Sequence, residues 1–207
     1  ASAEKPVEDN VIVVKPDEKP NNEGKTIEED LNNQGTLNNG TYTGEVTNAN
    51  TIEGGTFTGN VSNDEKGKIS DGEFKAAVQN AGTIENGKFA AAVTNDETGK
   101  IANGEFTGEV ENKGTIQNGT FADTVTNNGT IENGKFAGEV KGTGTINGGT
   151  FQQVSEAAAI NGGVFGKESN LKTAKVTPST LKIETGIADG SVVNDVIGGG
   201  AAVAMFA

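Results

Sequence analysis

Few of the side chains in this 207-residue chain are of kinds that do chemistry. Histidine and cysteine are both absent. That removes the commonest general base, every His-containing triad, the commonest transition-metal ligand, thiolate metal sites and any disulfide framework. Carboxylates remain, and paired carboxylates can cleave glycosides. Glu73 and Glu105 recur at equivalent positions with Lys88 between them, but no acidic pair stands apart from a solvated surface. Asn63-Asp64-Glu65 and Asn95-Asp96-Glu97 are acidic stretches of a kind that can attract calcium. Neither fits an EF-hand loop or a calcium-binding nonapeptide. The sequence therefore assigns no catalytic, cofactor-binding or metal-ligating residue and no cofactor, and the chain is expected not to be an enzyme.

The elements that would position such side chains are set by a repeat. An aliphatic column runs Leu37, Ile52, Ile69, Ile84, Ile101, Ile116, Ile131, Ile146, Ile160, in steps of 14 to 17 residues, mostly 15. Three residues after each member stands a glycine, from Gly40 to Gly163, and five after each an aromatic, from Tyr42 to Phe165. Nine residues after the first seven comes valine, from Val46 to Val140; Val154 arrives one residue early in the eighth unit. Two after valine stand Asn48, Asn63, Asn80, Asn95, Asn112 and Asn127, with Gly142 in the seventh place.

Each apolar residue is flanked by polar or small ones, the alternation of a short strand with one buried face. Between them lie Asn-Gly and Gly corners that tolerate positive φ. The spacing predicts an all-β, single-stranded, three-sided β-solenoid, a parallel β-helix of about nine coils, capped at both ends. At one strand spacing per coil the rod is about 43 Å long. Ile stacks on Ile, Phe on Phe and Val on Val, and the asparagine amides form a coil-to-coil ladder. The two 17-residue steps place their extra residues at one corner, in Asn63 to Gly67 and Asn95 to Gly99. The rival is an antiparallel meander, since Ile131 to Phe136 also fits an Asn-Gly hairpin. It would leave an apolar face uncovered, with no amphipathic helix to pack on it.

The reading divides the chain into residues 1–35, an N-terminal cap and partial coil; 36–165, the repeats; and 166–207, a C-terminal cap or short β region. Asp9 to Pro16 is a candidate capping strand, and Ile27, Leu31 and Asn33 match the aromatic, valine and asparagine columns. Beyond Phe165 the period is lost, leaving β-prone runs such as Leu181 to Ile183 and Ser191 to Val193. Open sheet edges at the ends of a solenoid require caps.

Composition narrows the function classes. Leu, Ile, Val and Phe make up about a fifth of the chain, too little for a compact layered core. A net charge of -13 disfavours nucleic acid and anionic membranes, which need a basic footprint. The longest apolar run, Ala201 to Ala207, is too short to span a bilayer. Ala1-Ser2-Ala3 with no initiator Met fits either signal-peptide processing or an arbitrary edge. All aromatics but Phe206 belong to the column, so none is left to stack on sugars. Ice-binding solenoids carry paired Thr-x-Thr columns. Thr41-Tyr42-Thr43 and Thr56-Phe57-Thr58 have that form, but Glu73-Phe74-Lys75 and Lys88-Phe89-Ala90 do not, and β-propensity accounts for the threonines.

The consensus GTIxNGxFxGxVxNN resembles the degenerate repeats of large secreted or wall-attached, adhesin-like surface proteins of Gram-positive and gut bacteria. The resemblance covers Thr36 to Phe165 and implies an extracellular structural or adhesive module, secreted or on the cell surface. Its partner would be a host or cell-surface protein or glycan, with no nucleic acid and no membrane insertion. The alternative is a carbohydrate-binding or carbohydrate-active β-helix module, although fifteen-residue coils leave no room for the clefts of pectate-lyase-like helices.

Overall fold

The computed structural model describes residues 10–171, 174–176 and 181–183. Within them the chain is a parallel β-solenoid of very short strands. One coil reads Thr115–Ile116, Thr120–Phe121, Val125–Asn127, and each strand pairs in parallel with its counterpart a coil away. Ile116 lies between Ile101 and Ile131, Phe121 between Phe106 and Phe136, and Val125 between Val110 and Val140. Parallel pairing from coil to coil rules out the meander, in which Ile131 and Phe136 would pair antiparallel within one hairpin.

The isoleucine-face strands form one ten-stranded sheet, running from Thr36–Leu37 to Lys175–Val176. The solenoid thus has about ten turns where the sequence period counts nine. The added turn lies beyond Phe165. There Ile160 pairs with Val176 and Phe165 with Ile183, so the backbone ladder continues after the side-chain period has lapsed. Parallel pairing needs only N–H and C=O groups at strand spacing, and irregular lengths between strands are taken up in the corners. The run at Ser191 to Val193, with every other residue after 183, lies outside the described residues.

The phenylalanine and valine faces meet in one sheet, because Lys135–Lys141 runs as a single strand from Phe136 to Val140. Its pairing with Thr150–Val154 shifts register between Phe136 and Glu139. This bulge absorbs the residue by which Val154 arrives early, and Val154 remains fully buried.

Inside, the columns are dry. The aliphatic residues from Leu37 to Ile160 are fully enclosed, and the rings from Tyr42 to Phe165 stack with centroids 4.6 to 5.1 Å apart and planes within 12° of parallel. That spacing is set by the strand separation of about 4.8 Å, and rings in contact at such a separation are slid across one another, the arrangement aromatic faces favour.

The corner glycine ahead of each ring has two jobs. Gly104 holds φ at +142°, a region L side chains avoid, and a Cβ there would lie 2.9 Å from the Phe106 ring. Gly104→Ala is therefore expected to cost roughly 3 kcal/mol or more from backbone strain and ring displacement together. Gly24 has φ +73° and nothing within 4 Å of an added Cβ. The same change there should cost only about 1–2 kcal/mol, and urea melts of the two variants measure the difference.

The third column's asparagines form a buried amide ladder with one polarity. The Nδ2 of Asn33, Asn48, Asn63, Asn80, Asn95 and Asn112 each donates to the Oδ1 of the next asparagine at 2.7 or 2.8 Å. The same NH2 groups also donate to corner carbonyls, at Gly82 from Asn80 and at Gly99 from Asn95. In the 17-residue coils that carbonyl lies four residues on instead of two, so the inserted residues bulge outward and leave the ladder intact. The ladder stops at both ends. Ile12–Val14 pairs in parallel with Leu31–Asn33 as the capping strand, placing Val14 over Asn33. Gly142 stands where an eighth asparagine would, and an added Cβ there would collide with the backbone of Asn127.

Candidate functional site

Because the interior is filled by Ile, Phe, Val and Asn, reactive or recognising groups are confined to the lateral faces, the corners and the ends. On the phenylalanine face, the residues before and after each ring point outward, since strand side chains alternate. They form two exposed columns with an open trough of about 510 Å³ between them, spanning the coils of Phe106, Phe121, Phe136 and Phe151. Glu105, Thr120 and Lys135 stand along one side and Thr107, Ala122 and Ala137 along the other. Small residues on one side and mixed charge on the other make a shallow surface that could accept an extended chain but encloses no reaction volume.

The chain matches no family model, no curated protein and no solved structure.

The structure places the charged sequence candidates on the outside of the rod, while Asn63 and Asn95 turn inward into the ladder. Glu73 and Lys88 are in-register neighbours, as are Lys88 and Glu105, yet the ion pairs formed among the described residues are elsewhere. They are Lys19–Glu53 at 2.8 Å, Lys68–Glu85 and Lys113–Glu111, all solvent-exposed, and such pairs add little stability. Asp64-Glu65 and Asp96-Glu97 occupy the same corner two coils apart, on either side of Ala81. Asp96 accepts from Gln79 Nε2 at 3.1 Å, and Thr98 Oγ1 donates to the Ala81 carbonyl. Among the described residues, no three acidic side chains gather where a metal could sit. The paired threonines align in two coils, Thr41 beside Thr56. Thr58 Oγ1 turns back to the Tyr42 carbonyl at 3.4 Å, so its hydroxyl is partly occupied by its own backbone.

Two polar features escape the periodicity. Ser169 is buried and its Oγ accepts from the Val154 amide at 3.0 Å, closing the valine face where the repeat ends. At the other end Asn22, within the Pro-containing connection, donates from Nδ2 to Tyr42 Oη at 3.0 Å. Tyr42 Oη in turn donates to the Asn39 carbonyl at 2.7 Å, while the Asn22 amide donates to Asn39 Oδ1 at 2.7 Å. These contacts explain why the first ring of the stack is the one tyrosine: its ring stacks on Phe57, and its hydroxyl fastens the N-terminal connection. Neither Asn22 nor Ser169 belongs to a column, so no repeat-based signal exposes them.

Burial raises the Tyr42 phenol above its ordinary pKa of 10.0, opposed by the Asn22 hydrogen bond. A group whose folded pKa is raised favours folding most below its unfolded value, and that contribution is lost as pH climbs through and beyond about 10. Tyr42→Phe should cost about 1 kcal/mol at neutral pH and remove part of the alkaline loss of stability. Urea melts of both proteins across that pH range provide the check.

Proposed function

We propose that the chain is an extracellular structural or adhesive module of a bacterial surface protein, secreted or displayed on the cell surface, that holds binding groups along a stiff rod and carries out no reaction. The observation that supports this most is the filled, in-register interior. Ten turns at strand spacing span roughly 48 Å, and the charged groups are spread along the outside with no enclosed cleft among the described residues. An acidic surface keeps such a rod soluble and separate from its neighbours.

A carbohydrate-binding role is the second reading, favoured by the trough on the phenylalanine face. Its outward groups recur at coil spacing from Glu105 to Gln152, which suits an extended polymer lying along the axis. The buried aromatics deny it ring stacking, so affinity would have to come from hydrogen bonds and from contact with small apolar groups such as Ala122 and Ala137. A glycan array, a binding assay on intact host and bacterial cells, and a reducing-sugar assay separate the readings. Retention on cells without sugar release supports the adhesive module. Selective glycan binding lost on changing Lys135 and Glu105 supports the second reading, and robust polysaccharide cleavage would overturn the adhesive module in favour of a carbohydrate-active one.

A further inference from the structure

The chain carries two populations of asparagine that differ in the residue C-terminal to them. Each ladder asparagine precedes a residue with a side chain, and that residue's backbone N–H is bonded to the neighbouring coil. Asp64 N donates to the Asn48 carbonyl, Ala81 N to Asn63, Asp96 N to Asn80 and Lys113 N to Asn95, all at 2.8 to 2.9 Å. The corner asparagines between the isoleucine and phenylalanine faces precede glycine, Asn38 excepted. At four of them, Asn86, Asn103, Asn118 and Asn133, the side chain is exposed and makes no hydrogen bond, and the adjoining glycine N–H has no protein acceptor. The same corner in the coil of Phe74 shows the geometry directly. There the residue is Asp71, and its Oδ1 lies 2.9 Å from the Gly72 nitrogen. A side chain of this length at the corner can thus reach back to the next backbone nitrogen.

We propose that Asn86, Asn103, Asn118 and Asn133 form a column of self-modifying sites that convert to aspartate and isoaspartate without an enzyme. The nitrogen of the adjoining glycine, having given up its proton to solvent base, attacks the asparagine Cγ. The N–Cγ bond forms, the Cγ–Nδ2 bond breaks, and ammonia departs with a proton from solvent, leaving a succinimide. Water then opens the ring at either carbonyl. One product is aspartate; the other is isoaspartate, with an added methylene in the main chain.

Other Asn-Gly pairs are held back by their contacts. Asn39 is engaged by Asn22 and Asn21. Asn128 Oδ1 accepts from the Thr143 amide, and the Gly129 amide itself donates to Asn127 Oδ1. Asn147 is bonded to both Glu132 and Asn161, and the second of these bonds also engages the side chain of Asn161, which precedes Gly162. Fold contacts, and not the dipeptide alone, therefore decide which sites react. Asn86, Asn103, Asn118 and Asn133 occupy four consecutive coils, so their products would place negative charges one strand spacing apart, where like charges oppose each other. The column would record the age of the rod as added charge and loosened corners.

The test is to hold the purified full chain at mildly alkaline pH, follow ammonia release, and map acid and isoaspartate by peptide mass spectrometry and enzymatic isoaspartyl methylation. A parallel sample is held in urea. Folded protein should react first at Asn86, Asn103, Asn118 and Asn133, with Asn39, Asn128, Asn147, Asn161 and the ladder retained. In urea the Asn-Gly pairs should lose this ranking. Equal reaction at all Asn-Gly pairs of the folded chain would overturn the proposal. So would protection of the four corner sites while the urea sample reacts.

Discussion

Phe106→Asp is expected to abolish the cooperative unfolding of the rod. Phe106 is 1% exposed and stacks between Phe89 and Phe121, at 4.7 and 4.8 Å. Truncating a buried phenylalanine costs about 3–5 kcal/mol, two aromatic contacts of about 0.5–1.5 kcal/mol each go with it, and an unpaired carboxylate in a dry interior adds several more. The sum is comparable to the whole stability of an ordinary domain, roughly 5–15 kcal/mol. In a linear array, where stability passes from neighbour to neighbour, a break at a central coil separates the turns on either side. The melt should therefore disappear or split in two. Thr107→Asp places the same charge on the adjacent exposed residue, giving up only the 3.3 Å hydrogen bond from Thr107 Oγ1 to the Phe89 carbonyl, and should leave the transition within about 1 kcal/mol of wild type. A wild-type melt for Phe106→Asp would show that the ring column does not carry the fold.

The columns were legible because a solenoid translates sequence period directly into contacts. Any residue fifteen or seventeen positions on is a neighbour, so Ile, Phe, Val and Asn announce their partners, and the corner insertions announce their place. Legibility fails where a contact leaves the period. Asn22 reaches Tyr42 from an aperiodic connection, and Ser169 bonds to Val154 after the repeat has lapsed. The turn at Lys175–Val176 is carried by main-chain pairing that side-chain patterns do not report. The lateral trough is hidden for another reason. It arises from small residues at alternate outward positions, and a sequence shows Ala122 and Ala137 as ordinary alanines until the face they share is known. Even the ladder was legible only as a possibility, because the hydrogen bonds and their common direction depend on how the amides turn.

That common direction gives the second large effect, in Asn95→Asp. The side chain is fully buried; its Oδ1 accepts from Asn80 Nδ2 at 2.8 Å, and its Nδ2 faces three acceptors, Asn112 Oδ1 at 2.8 Å and the carbonyls of Gly99 and Thr115 at 3.1 and 3.3 Å. Exchanging NH2 for oxygen keeps the shape and reverses the polarity. A carboxylate would be satisfied by Asn80 alone and would point its other oxygen at lone pairs, a buried and poorly compensated charge costing about 3–5 kcal/mol. Protonated, the introduced carboxyl could still donate to Asn112 Oδ1, and the loss falls to about 1–2 kcal/mol. Its folded pKa is therefore raised above the unfolded value of about 3.9, so the variant is least penalised below that pH and loses stability as pH rises through and past it. Denaturant melts of variant and wild type at about pH 4 and about pH 7 should show the gap between them widening with pH. A gap independent of pH would mean that the ladder's polarity contributes nothing. Asn118→Asp makes the same exchange at an exposed corner whose amide makes no hydrogen bond, and it should change stability by less than about 0.5 kcal/mol. One chemical change is thus tolerated where a glycine nitrogen can bring it about and is ruinous in the ladder, where the adjoining backbone N–H groups are already committed to the neighbouring coil.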